Sequence, residues 1–236
     1  MKSAAPSALP PARQPTAPAV PARVKPRYRG VSHEIAAILA LPGAIGLIHL
    51  ARGTAATIAA SVYGGSLVLL FACSAIYHRP QWQPRPRNIL GRIDQAAIFV
   101  LIAGTYTPFC LLLGPGKGHA LLVAVWGGAA AGMALALAWP TAPKQLMAGV
   151  YVLLGWFMAP LLPVFRAVIP PVDFALILGG GLLYTIGAVI YALRRPDPYP
   201  AVFGYHEIFH LLVILGASCH FGAATTVILR LGGAGA

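Results

Sequence analysis

Acidic residues are nearly missing from this chain: Glu34, Asp94, Asp173, Asp197 and Glu207 are the only five in 236 residues. All charged types together supply 9% of the sequence, against about 25% in a water-soluble domain. That supply cannot cover a surface facing water on every side, which excludes an ordinary soluble fold. Cysteine is equally scarce. Cys73, Cys110 and Cys219 form no C-x-x-C pair and sit in apolar segments, so they read as small core residues without a disulfide framework. Residues 1–30 lack the apolar core of a signal peptide, and the segment is expected to be retained.

What the chain has in quantity is apolar. Hydrophobic residues make up 58%, and the mean hydropathy is +0.75. Runs near the bilayer-crossing length of about 20 residues fall at roughly 35–51, 57–78, 94–113, 119–139, 146–165, 173–193 and 206–229. The expected fold class is all-α and integral to the membrane, a seven-transmembrane-helix bundle over residues 31–236. Residues 1–30 hold seven prolines, six Lys/Arg and no acid. Such a composition cannot build a core, so a disordered basic tail is expected there. Beside a membrane its natural partner is anionic lipid headgroups rather than nucleic acid. With the N-terminus inside, thirteen Lys/Arg fall on the cytoplasmic side and four on the other. This bias predicts a cytoplasmic N-terminus and a C-terminus outside.

Seven alternating spans bring three segments to one depth. The second span ends in "CSAIYHRP" with Ser74 and His78, the third begins near Asp94, and the seventh begins with His206 and His210. Ionisable groups inside a membrane are functional candidates by default. His78, His206 and His210 offer three imidazoles, the ligand set of a catalytic Zn2+ with one position open. Asp94 could orient or deprotonate a water there, and Ser74, one turn before His78, could hydrogen-bond that water or a polarised carbonyl. The same residues could instead form a polar network that only ties the helices together.

"HEIFH" (206–210) also matches the H-E-x-x-H of zinc proteases, in which Glu207 would be the general base. Residues 211–236 contain no Asp or Glu, so no acidic third ligand follows. His220 comes ten residues after His210, a helical rise of about 15 Å and too far to share a metal. A protease is therefore not expected, and Glu207 is expected to face the cytoplasmic loops. His220 reads as a packed helix histidine; His33, His49 and His119 read as ordinary residues of span ends. Tyr106 and Thr107, before Pro108, read as adjusting a kinked helix. Trp126, Trp139 and Trp156 read as interface anchors.

Three motifs in order, S-x-x-x-H (Ser74, His78), "RIDQAAIFVLIAGTYTPF" with Asp94, and H-x-x-x-H (His206, His210), resemble the hemolysin III family. That family is related to the progestin and adiponectin receptor (PAQR) family and to alkaline ceramidases. The resemblance spans about residues 34–230. It implies seven helices, a Zn2+ held by His78, His206 and His210, and a metal-bound water contacting Asp94. Relatives carry an Asn and a Thr-His early in helix 1, where this chain has Ala37 and Ala40-Leu41, and many have a His at the position of Gln95. The expected function is zinc-dependent hydrolysis of an amide or ester in a lipid drawn from the bilayer. In it Asp94 acts as base, with Ser74 steadying the water or oxyanion. The alternatives are a cytolytic pore and a receptor-like membrane sensor, each with structural zinc. Bacterial plasma-membrane placement is implied by the resemblance.

Overall fold

The computed structural model describes residues 25–233. Among these the structure is all-helical: α1 (Val31–Leu50), α2 (Gly53–His78), α3 (Pro84–Leu113), α4 (Lys117–Ala138), α5 (Lys144–Gly155), α6 (Leu162–Val168), α7 (Pro171–Leu193) and α8 (Tyr205–Gly233). A 3-10 turn, Ala159–Leu161, joins α5 to α6. Counting α5 and α6 as one, seven segments are long and apolar enough to cross a bilayer.

Consecutive helices pack as neighbours, and α8 touches α1, α2, α3 and α7, so it lies at the centre. Small residues allow the close approaches that membrane helices use. A Cβ on Gly64 of α2 would come 2.8 Å from the Ala44 Cβ of α1, and one on Gly216 of α8 would meet the Tyr184 ring at 2.9 Å. The outer faces are apolar and open: Val123 is 74% exposed, Leu153 72% and Val172 71%. An all-round apolar exterior is what lipid requires and water forbids.

Two elements differ from the sequence expectation. Helix α3 starts at Pro84, ten residues before Asp94. Proline is well suited to the first helical position, where its missing N–H costs nothing, so the basic stretch 84–93 is helix rather than loop. The fifth span, expected to be continuous, breaks at 156–161, where "GWFMAPLLP" places Pro160 and Pro163 three residues apart. Proline removes backbone donors and ends a helix. The freed groups find a partner across the bundle. The Tyr106 hydroxyl donates to the Gly155 carbonyl at 2.6 Å and accepts the Met158 N–H at 3.1 Å. Tyr106 thus repairs a break in a neighbour rather than a kink in its own helix. Trp156 sits at that break and donates to Thr185 Oγ1 at 2.9 Å, inside the bundle and not as an interface anchor.

Of the expected tail, residues 1–24 lie outside the described residues. Residues 25–30 form a strap. Arg27 and Tyr28 donate backbone N–H groups to the carbonyls of Ala201 and Val202 in the α7–α8 loop. Lys25 Nζ donates to the carbonyls of Arg79 and Pro80 just past α2. Partial burial, with Arg79, Arg87 and Arg29 nearby, holds the Lys25 ammonium below its ordinary pKa. The strap therefore ties together the ends of α2 and α8.

Candidate metal centre

His78 closes α2, while His206 and His210 occupy the first two turns of α8, one above the other at i and i+4. Their ring nitrogens lie within 4.8 Å of one another. The Nε2 atoms of His78 and His206 are 3.2 Å apart, close to the edge of about 3.3 Å expected for a tetrahedron with metal–nitrogen distances near 2.0–2.1 Å. His206 and His210 are buried and His78 is partly buried. Three imidazoles converging in a buried place fit a divalent ion that accepts nitrogen ligands.

Asp94 of α3 approaches the same point, its Oδ2 3.5 Å from His78 Nε2. Ser74, one turn before His78, is buried and lines a cavity together with Asp94 and His210. The sequence-predicted residues are thus gathered from three helices. The cavity is narrow, about 150 Å³, and runs from these residues between α3, α5, α7 and α8 toward Phe109, Leu162 and His220.

Glu207 lies elsewhere. Its Oε2 accepts the Gly204 N–H at 2.8 Å, the arrangement of a third-position acid reaching back to the helix cap. Its Oε1 forms an ion pair with Arg29 Nε at 2.6 Å. At 3% exposure it faces the strap as a buried partner, where the sequence led us to expect a loop-facing residue. Asp197 completes the start of α8 by accepting the Tyr205 N–H at 3.0 Å. The carboxylate that makes H-E-x-x-H look proteolytic is occupied in holding the helix end.

His33 corrects another expectation. It is 3% exposed, not interfacial, and its ring stacks on His210 with centroids 3.8 Å apart and planes at 7°. It lines the cavity too. Nothing in the local sequence distinguishes it from His49 or His119, because only the packing of α1 on α8 brings it in. Gly30 is a second residue the sequence hid. It caps α1 at φ +82°, a conformation that favours glycine, and a Cβ there would stand 2.7 Å from the His78 Cβ.

Comparison with known proteins finds relatives along most of the chain. The profile of the family described as "Haemolysin-III related" matches residues 22–221. The hemolysin-3 homolog of Bacillus subtilis (strain 168) is 34% identical over 197 residues, covering 81% of this chain and 88% of that protein. The hemolysin-3 of Bacillus cereus is 34% identical over 196 residues, covering 81% and 86%. A shorter stretch, 45% identical over 49 residues, is shared with an ADIPOR-like receptor of Saccharomyces cerevisiae, 19% of this chain and 16% of that one.

Proposed function

The chain belongs to the hemolysin III family, and from that premise we propose that it is a zinc-dependent hydrolase of an amide or ester bond in a lipid of the plasma membrane. The observation that carries this reading is the meeting of three imidazoles, Asp94 and Ser74 at one end of an apolar cavity inside a membrane bundle. Bound at His78, His206 and His210, Zn2+ would supply a Lewis acid and bring the pKa of water to about 7. The remaining work falls to the chain. Apolar walls along α3, α5 and α7 receive an acyl chain from the bilayer and exclude bulk water. Asp94, beside His78, accepts the proton of the attacking water. It returns that proton to the departing amine or alkoxide as the amide C–N or ester C–O bond breaks, so that a fatty acid and an amine or alcohol leave. The Ser74 hydroxyl donates to the scissile carbonyl oxygen.

A lytic pore, which the names of the Bacillus relatives suggest, would need a polar path across the membrane. The cavity wall between its two ends is formed largely by Leu, Ile, Val and Phe side chains, which favours a lipid chain over water and ions. A receptor-like sensor would use the same site without turnover, and activity separates it from a hydrolase.

The test is fatty-acid release from a panel of N-acyl and O-acyl lipids by the purified protein, with zinc measured in parallel. Asp94→Asn should lower turnover by about a hundredfold or more, the scale of a positioned acid–base group, while zinc stays bound by the three imidazoles. Near-normal turnover in Asp94→Asn would remove Asp94 as the base; no release from any lipid would leave the hydrolase reading without support.

A further inference from the structure

The fifth span carries a glycine whose missing side chain no neighbour replaces. Gly155 ends α5 and is not among the glycines of positive φ, so its backbone accepts a larger residue. Tyr151 and Val152 precede it by four and three residues, which puts all three on one face of the helix. All three line the cavity. Ala148, two turns before Gly155 on that face, is buried, while Leu153 and Phe157 point outward at 72% and 48% exposure. Gly155 is nevertheless exposed, and on the inner face that exposure is to the cavity. Among the described residues, a Cβ there would meet nothing from the rest of the bundle within 4 Å. Elsewhere a neighbour fills the place. A Cβ on Gly181 would touch the Trp156 ring at 3.4 Å, and one on Gly187 the Phe209 ring at 3.3 Å.

The same residue marks a length along the cavity. Tyr106 stands twelve residues past Asp94 on α3, a rise of about 18 Å. Its hydroxyl donates to the Gly155 carbonyl at 2.6 Å, and its side chain leans back toward the start of α3. Gly155 therefore lies roughly 13–18 Å from the level of Asp94. At roughly 1.25 Å of advance per carbon, a staggered chain headed at Asp94 draws level with Gly155 at about its tenth to fourteenth carbon. The cavity continues beyond that level, past Phe109 of α3 and Leu162 of α6. Its whole volume is about 150 Å³, so a branched side chain projecting from position 155 would compete with the chain for the same space.

Resting on the acyl-lipid reading above, we propose that Gly155 is the specificity-determining residue for acyl-chain length. The side chain it lacks is the space through which chains longer than about fourteen carbons run past the break in the fifth span.

The experiment measures equilibrium binding of radiolabelled octanoate and hexadecanoate to full-length, zinc-loaded protein in phosphatidylcholine nanodiscs, with empty nanodiscs as the blank. Octanoate ends short of Gly155 and hexadecanoate passes it. In Gly155→Leu the affinity for hexadecanoate should fall about tenfold, the scale of an overfilled apolar space, while octanoate stays within about twofold of wild type. Gly155→Ala and Gly155→Val should grade the loss for hexadecanoate, at about twofold and fivefold. These smaller variants decide the matter if Gly155→Leu does not fold. A ratio of the two affinities that stays flat across the series would overturn the proposal, and so would equal losses for both acids; either result leaves the acyl-lipid reading standing. Failure of Gly155→Ala to fold would also overturn it, because the space at position 155 would then not be open. Binding of neither acid by the wild-type protein would overturn the acyl-lipid reading and this inference together.

Discussion

His78, His206 and His210 each contribute one nitrogen to a set within 4.8 Å, so removing any one leaves two ligands. Zinc affinity should fall by more than about a hundredfold in His78→Ala, His206→Ala and His210→Ala, beyond the tenfold to hundredfold typical of outer partners. His220→Ala should stay close to wild type, being about 15 Å along the helix. Competition with a chromogenic chelator reads all four, and unchanged zinc in His78→Ala would take α2 out of the site. Gly30→Ala belongs to the same measurement. It removes no ligand, yet its Cβ would press on His78 at 2.7 Å in a backbone conformation alanine resists; weakened zinc binding is expected, and wild-type affinity would show that α1 does not position His78. Glu207→Gln answers a different question. The amide can still reach the Gly204 N–H but leaves Arg29 without its counter-charge. A stability loss of about 2 kcal/mol is expected with zinc retained, read as an earlier thermal transition; abolished turnover in a fully folded variant would restore Glu207 as a general base.

Among the elements, the broken fifth span and the strap carry the most consequence. A membrane helix may be interrupted only where other groups satisfy its backbone, and here Tyr106 does so from α3. Tyr106→Phe keeps the ring and removes that hydroxyl. The Met158 N–H and Gly155 carbonyl then lose a buried partner, at a cost of about 1–3 kcal/mol. The expected result is a lower thermal midpoint with zinc binding intact, because the break lies far along the cavity from His78. An unchanged midpoint would mean that the break is satisfied in another way. The strap works at the other end, where Lys25 and Gly30 meet the α2 terminus, Arg27 and Tyr28 bond the α7–α8 loop, and Arg29 pairs with Glu207. The two helices that carry the three histidines are thereby held in register by a segment outside both.

At the scale of the whole molecule, the described chain begins beside the metal centre and ends at the opposite face, where Gly232 meets Arg52 of the α1–α2 junction. The thirteen-to-four distribution of Lys/Arg leads us to propose that the metal-centre face is cytoplasmic. The basic residues before the strap would then lie against anionic headgroups. Reporter fusions at Ala4 and Ala236 should report opposite sides of the membrane, cytoplasmic for Ala4. Both fusions on one side would mean an even number of crossings.

Composition and run length settle the class of molecule, because apolar runs of bilayer length and a shortage of charge admit no soluble alternative. The sequence also brought His78, His206, His210, Asp94 and Ser74 to one depth, since seven alternating spans put the end of the second and the starts of the third and seventh at the same face whatever their lateral order. Direction and contact were another matter. Whether Glu207 turns toward the histidines depends on the cap it makes with Gly204 and on Arg29, which is 178 positions away. His33 enters the site only because α1 packs on α8, and Tyr106 finds its partners only because α3 lies beside the interrupted span. Hydropathy records how deep a residue sits along the membrane normal. It carries almost nothing about which helices are neighbours, because lipid-facing and helix-facing positions are both apolar, and side-chain packing alone decides between them.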